Sequence, residues 1–295
     1  MILVFGGNGQ LGQELKRAAE AQGVPIRAFS HSDVDIADAA AVGRAITEVA
    51  PALVVNAAAY TKVDLAEKEI VEAERGNVVG PGVLASACAT AGLPLIHIST
   101  DYVFDGGKTG PYVETDPIAP LGVYGRTKAE GEARVRSALP RHIIMRTAWV
   151  YGEFGNNFLK TMVRLARERD EIRVVADQRG CPTSTRDLSA AILRIAPRLA
   201  AGDDVWGTYH YAASGVTTWH GFAERVVAAQ APLTGRRPKV TAITTAEYPT
   251  PARRPANSTL ACDRFAGVFG FAGRPWNDEV DDITAAVVKA GSNAN

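Results

Sequence analysis

The chain has 295 residues, enough for one large core or two modest ones, and two lobes is the expectation. Lys plus Arg equals Asp plus Glu at 32 each, so the formal net charge is zero; this argues against a nucleic-acid binder, though a local basic pocket for a phosphorylated ligand stays open. No apolar run is long enough to cross a bilayer, and Cys88, Cys181 and Cys262 lie far apart without a CxxC pair, so a protein of the reducing cytoplasm is expected rather than a membrane, disulfide-framework or zinc protein.

Ile2–Phe5 reads as a buried strand that starts at once, leaving no room for a charged region ahead of a signal sequence. Residues 10–22, rich in Ala, Leu and Glu, read as a helix. Between them lies Gly6-Gly7-Asn8-Gly9-Gln10-Leu11-Gly12. Glycines at a strand-to-helix turn let the backbone approach a pyrophosphate, which then rests on the positive helix N-terminus. Gly6, Gly9, Gln10, Leu11 and Gly12 are therefore read as a dinucleotide site, against the plainer reading of a tight turn without a ligand.

Residues 24–29 form the second strand. A carboxylate near its end would ordinarily bind the ribose 2′-hydroxyl. Here the neighbourhood is Ser30-His31-Ser32-Asp33, with no acid directly at the strand end to repel a 2′-phosphate and with Arg27 and His31 to favour one. NADPH is favoured over NADH, with Asp33 or Asp35 able to restore NADH use. Asp38 is read as the cap of a helix over Ala39–Val49.

Residues 53–55 give the third strand, running into Asn56-Ala57-Ala58-Ala59-Tyr60, where small residues either let a flat ligand lie over the backbone or pack under a helix. Residues 66–91 are helical with a break suggested by Gly76, Gly80 and Pro81. The strand at 94–98 delivers Ser99 and Thr100 to the same edge. Residues 105–121 make a long, turn-rich loop. A helix carrying Tyr124 and Lys128 runs to about Ala138, and residues 143–146 are the next strand. This alternation predicts an α/β fold with a doubly wound, Rossmann-like parallel sheet over residues 1–150.

After Trp149 the texture changes: a polar loop at 152–157, an amphipathic helix at 158–169, a strand at 172–176, a helix at 183–199, a strand at 208–212 and a helix at 219–230. Residues 232–255 read as irregular and 291–295 as a frayed tail. The chain is expected to return to the first lobe over 183–212, leaving 151–295 mainly as a smaller, interleaved substrate lobe.

Tyr124 and Lys128 are four apart and share one helix face. An ammonium beside a phenol stabilises the phenolate and lowers the phenol pKa. With a dinucleotide on the first turn, Thr100 and Tyr124 would converge near the nicotinamide. A hydride acceptor there needs its carbonyl oxygen held and then protonated, for which Thr100 holds, Tyr124 donates, and Lys128 both tunes Tyr124 and bonds the nicotinamide ribose. Singly, these residues also read as an exposed helix pair and a capping hydroxyl; their order behind a glycine turn favours the catalytic reading. His97, His142, His210 and His220 show no metal-ligand spacing, and the first three are read as strand residues. Tyr102 and Phe104 are read as core, with a sugar-facing role open. Trp149 is a core anchor or a face for a sugar or base, and Arg253 with Arg254 a solvated pair or a diphosphate clamp.

Ser99-Thr100-Asp101-Tyr102-Val103-Phe104-Asp105-Gly106, Tyr124-Gly125-Arg126-Thr127-Lys128, and Arg146-Thr147-Ala148-Trp149-Val150-Tyr151-Gly152 with Gly155-Asn156-Asn157-Phe158 closely resemble the dTDP-4-dehydrorhamnose reductase family of extended short-chain dehydrogenase/reductases. Residues 56–64, 177–180, Pro182-Thr183 and 254–258 match as well, so the resemblance covers nearly the whole chain. It implies NAD(P)H-dependent reduction of a dTDP-sugar, dTDP-6-deoxy-L-lyxo-4-hexulose, to dTDP-L-rhamnose. Thr100, Tyr124 and Lys128 become the catalytic set, Asp101, Tyr102, Trp149 and Asn157 look like substrate contacts, to which Arg254 adds its clamp, and Asp35-Ile36 looks like the adenine-side pair beside Ser30. Some members bind Mg²⁺ through glutamates at a homodimer interface. Glu14 fits that pattern, but Arg186 stands where a second glutamate belongs, so no metal is expected. The alternatives are a reductase of another dTDP-4-keto-6-deoxysugar and a non-catalytic regulatory subunit of the methionine adenosyltransferase type. The intact Thr100, Tyr124 and Lys128 argue against the second.

Overall fold

The computed structural model describes residues 1–292. In chain order its first part runs β1 (Ile2–Phe5), α1 (Gln10–Ala21), β2 (Ile26–Phe29), α2 (Ala39–Val49), β3 (Leu53–Asn56), α3 (Val63–Ala66), α4 (Ile70–Glu74), α5 (Gly80–Ala91), β4 (Leu95–Thr100), α6 (Val123–Ala138) and β5 (His142–Thr147). The rest comprises β6 (Val150–Tyr151), α7 (Phe158–Glu168), β7 (Glu171–Val175), β8 (Arg179–Gly180), β9 (Thr183–Ser184), α8 (Thr185–Ala201), β10 (Gly207–His210), β11 (Thr217–Thr218), α9 (Trp219–Thr234), β12 (Lys239–Ile243), α10 (Asp263–Phe269) and α11 (Val280–Ser292).

Six strands form one parallel sheet in the order β2-β1-β3-β4-β5-β10, the doubly wound arrangement expected from the sequence. Alternate side chains of β1 serve opposite faces. Leu3 and Phe5 pack with Val42, Ile46 and Leu84 of α2 and α5, whereas Ile2 and Val4 pack with Leu11, Leu15, Leu188 and Ile192 of α1 and α8. The direction of winding reverses between β1 and β3, and in such sheets ligands bind in the crevice at the strands' carboxyl ends beside that point. Thr100 and Thr147 pair at this edge, which extends β4 two residues past the expected end.

Three local expectations are corrected. The break expected near Gly76–Pro81 is a π-helical turn over Arg75–Val79 that joins α4 to α5, and Pro81 is tolerated in the first turn of α5. Residues 232–255 are not irregular throughout, because β12 pairs in parallel with β7 from Lys239 opposite Glu171 to Ile243 opposite Val175. Polar Lys239 and Thr241 on an edge strand hid that pattern. Gly291 and Ser292 are helical, whereas residues 293–295 lie outside the described residues. The helices α10 and α11 were not anticipated; Val280 and Ile283 of α11 join Leu159, Phe222 and Val226 in the core of the second lobe. Among the described residues no helix is long and apolar enough to cross a membrane.

Candidate active site

The glycine turn after β1 is built for close approach. Gly6 has φ of +93°, and a Cβ there would lie 2.6 Å from the Ala58 amide nitrogen. A Cβ at Gly12 would collide with the Gly6 carbonyl oxygen. Gly9 is the N-cap of α1 and no side chain caps that end, so its first-turn amides and positive dipole suit a pyrophosphate. Gly12→Ala is therefore expected to weaken NADPH binding by roughly tenfold or more, about 1.4 kcal/mol, in a fluorescence titration; wild-type affinity would show that the turn does not hold the cofactor.

At the end of β2, Asp33 Oδ2 accepts from Ser30 N at 2.8 Å and Ser30 Oγ at 2.6 Å, and these bonds hold its carboxyl below the ordinary carboxylate range. An acid does reach the strand end, folded back from three residues on. Asp35 accepts from Ala37 N at 2.9 Å and pairs with Arg75 at 2.5 Å, while Ile36 is buried against Gly80.

The Ala57–Tyr60 stretch is tied down by two asparagines. Asn56 Oδ1 accepts from Ala58 N at 3.1 Å, and its amide pairs with His97 Nδ1 at 3.0 Å. Buried Asn77 accepts from Tyr60 N at 2.9 Å and donates to Tyr60 O and Thr127 Oγ1, each at 3.1 Å. Thr127 in turn donates to the Tyr124 carbonyl at 3.0 Å. Asn77 thus couples the loop after β3 to the helix that bears Tyr124 and Lys128. Nothing in the sequence pattern singled it out.

That helix is placed by close contact. A Cβ at Gly125 would collide with the Tyr102 carbonyl oxygen, and Glu67 caps the helix from outside by accepting from Val123 N at 2.8 Å. The Tyr102 and Tyr124 rings meet edge to face at 5.4 Å between centroids. Lys128, 2% exposed, donates to the Ile98 carbonyl at 2.7 Å. Thr100 Oγ1 donates to Asp101 Oδ1 at 3.0 Å and accepts from Tyr102 N at 3.2 Å.

The electrostatics correct one expectation. Lys128 does not lower the Tyr124 pKa in this structure: burial pushes the phenol up to about 12, with a hydrogen bond from Thr100 opposing the rise. Burial also brings the Lys128 ammonium down to about 8, Glu132 opposing. Low-dielectric surroundings disfavour both charged forms, and one of the three ammonium protons goes to the Ile98 carbonyl.

The remaining predicted residues are each held by stacking or hydrogen bonds. Trp149 has φ of +49°, uncommon for a bulky residue, and its ring stacks on Trp219 at 3.6 Å. Gly180 lies against that ring, since a Cβ there would strike it. Asn157 caps α7 through Lys160 N at 3.0 Å and donates to Gln10 Oε1 at 3.0 Å, tying the 152–157 loop to the glycine turn. Arg254 forks onto Asp64 at 2.8 and 3.1 Å, joining the segment after β12 to α3.

A divalent ion at Glu14 does not fit. Arg17 occupies both Glu14 oxygens, at 2.8 and 2.7 Å, and also reaches Glu153 at 2.8 Å. Arg186 completes the chain on Glu153 at 2.5 Å. Two guanidinium groups supply the positive charge here.

Residues 1–289 match the family model described as RmlD substrate binding domain. The chain belongs to that family. It is 45% identical to the dTDP-4-dehydrorhamnose reductase of Sinorhizobium fredii, covering 99% of each chain. Among solved structures it resembles a dTDP-4-dehydrorhamnose reductase from Clostridium acetobutylicum, with TM-score 0.89 and 39% identity over 96% of this chain and 98% of that one. The Bacillus anthracis dTDP-4-dehydrorhamnose reductase in complex with NADP aligns with TM-score 0.88 and 35% identity, also over 96% and 98%. These relatives therefore share nearly the whole length of the chain, not the glycine turn alone.

Proposed function

We propose that this protein is an NAD(P)H-dependent 4-ketoreductase that converts dTDP-6-deoxy-L-lyxo-4-hexulose to dTDP-L-rhamnose. What supports the reading is that Thr100 hydrogen-bonds Tyr124 and that Lys128 bonds Ile98 on the strand ending in Thr100, in a chain with an uncapped glycine turn after β1 whose full-length relatives bear that activity's name. When bound, NAD(P)H supplies the hydride. The NADP complex of the Bacillus anthracis relative supports NADPH.

The chain's own groups do the rest. Gly6, Gly9, Gln10, Leu11 and Gly12 hold the pyrophosphate, and Ser30 and Asp35 border the adenine ribose. Ala57 to Tyr60 form the floor under the nicotinamide. Lys128 fixes the nicotinamide ribose, and Thr100 holds the ketone oxygen. Tyr124 gives its proton to that oxygen as charge develops there. A phenol raised to about 12 keeps its proton throughout the neutral range. An alkoxide is a stronger base than a phenolate, so the transfer still runs downhill. Asp101, Tyr102, Trp149, Asn157 and Arg254 border the substrate, Arg254 being held by Asp64 and so reaching a diphosphate only with the donors that this pairing leaves free.

The test is NADPH or NADH oxidation with the dTDP-4-keto-6-deoxy-L-sugar beside its D-epimer. One NADPH is expected to be consumed per dTDP-L-rhamnose formed, with the D-epimer turned over far more slowly. Oxidation with neither sugar sinks the reading, and faster reduction of the D-epimer reassigns the substrate.

A further inference from the structure

Thr100 carries one hydroxyl proton and more claims on it than it can meet. The Tyr102 amide already occupies one lone pair at 3.2 Å, and the proton goes to Asp101 Oδ1 at 3.0 Å. The Tyr124 oxygen is a second acceptor for the same proton, and in the reaction the ketone oxygen is a third. While Asp101 is a carboxylate it takes the proton. A carboxylic acid at Asp101 would instead donate to Thr100 Oγ1 and free the Thr100 proton to point at the reacting oxygen.

We propose that Asp101 is a positioning residue that sets the direction of the Thr100 hydroxyl, and that it does so as the neutral carboxylic acid. This deepens the ketoreductase reading and rests on it. The geometry favours the neutral form. Asp101 is 3% exposed, and apart from the facing Ser258 hydroxyl no donor reaches its Oδ2; leaving a buried carboxylate so weakly held costs more than leaving the neutral acid there. No cation is committed to it. Lys128 on α6 bonds the Ile98 carbonyl, and Arg254 beyond Tyr102 is paired with Asp64. The groups that do face it are Tyr124 from α6, Tyr102 beside it, Cys181 from the turn between β8 and β9, and Ser258 from the segment before α10. None carries positive charge.

Burial pushes the Asp101 carboxyl up to about 6, against the opposing pull of Ser258 and Thr100. The diphosphates of cofactor and substrate add negative charge, which acts in the same direction as burial. Because the productive form is the protonated one, turnover falls as pH rises through this group's pKa in the ternary complex.

Two measurements test this. In infrared titration of the free protein, a carboxylic C=O band that titrates near pH 6 is expected in the wild type and missing in Asp101→Asn. In the pH profile of kcat at saturating NADPH, the Asp101 limb of the wild type is expected to vanish in Asp101→Asn, whose amide donates to Thr100 at every pH, leaving only the later fall as Lys128 deprotonates near 8. Asp101→Ala should lower kcat by roughly tenfold or more across the range while NADPH affinity holds, the loss of one orienting hydrogen bond. An Asp101 ionised at all pH values down to about 4, or an Asn variant that keeps the wild-type limb, overturns the proposal. If the wild type reduces no ketosugar, the functional reading fails instead, and the infrared titration still decides the state of Asp101.

Discussion

Tyr124→Phe is expected to lower turnover by about a hundredfold or more while leaving NADPH affinity nearly intact, since a positioned general acid commonly contributes that much. The substitution removes only the phenolic oxygen. The ring keeps its edge-to-face contact with Tyr102 at 5.4 Å, and the main chain keeps its bond from Thr127 at 3.0 Å, so neither the helix nor the cofactor loop should move. Turnover in single-exponential NADPH oxidation reads the effect, with fluorescence titration as the binding control. An unchanged rate in a correctly folded variant would remove Tyr124 from the mechanism. Lys128→Ala should behave differently, weakening binding and turnover together. Its ammonium is buried against the Ile98 carbonyl at 2.7 Å, so truncation leaves a buried acceptor bare and, on the proposed reading, removes the ribose contact as well.

The contrast between what the sequence disclosed and what it hid follows from the range of the interactions. The glycine turn at Gly6 to Gly12 and the helix bearing Tyr124 and Lys128 were legible because turn and helix are written in local spacing. The return of β10 to the sheet beside β5 was readable from a short β-rich run. The sign of the Tyr124 shift was not readable, since it depends on burial by segments remote in sequence rather than on the lysine one turn away. Glu67 caps α6 from 56 positions upstream, and Asn77 binds Thr127 from 50, so no window on the helix itself could reveal either. Asp33 was visible as an acid near the second strand, but its fold back onto Ser30 depends on the turn. In α10 and α11 an amphipathic period follows a Pro- and Arg-rich stretch, and that composition drew attention away from it.

Glu132→Gln is expected to destabilise the fold by about 3–5 kcal/mol, the usual cost of leaving one partner of a buried ion pair uncompensated. Glu132 and Arg146 are 0% and 2% exposed, and the guanidinium forks onto the carboxylate at 2.9 and 2.7 Å. Ser99 donates to the same carboxylate at 2.6 Å, Arg136 reaches it at 3.1 Å, and Arg146 lies over the Phe104 ring at 5.1 Å. The pair therefore fastens α6, one turn beyond Lys128, to β4 and β5 near the strands' carboxyl ends. Burial alone would raise the Glu132 pKa, but the bonds and charge of Arg146 outweigh it and hold the carboxyl below its ordinary value. A lowered carboxylate pKa gives stability that is full above the unfolded-state value and is lost as pH falls through the folded-state value. Urea unfolding at neutral pH should show the deficit, and it should shrink in acid as the wild type loses the same contribution. Replacing both partners with Met should recover much of the loss, because no unpaired charge remains. A Gln variant as stable as the wild type would mean that Arg146 finds compensation from His210 Nε2 at 3.4 Å and the Glu114 carbonyl at 3.5 Å, and that these, not Glu132, hold the helix to the sheet.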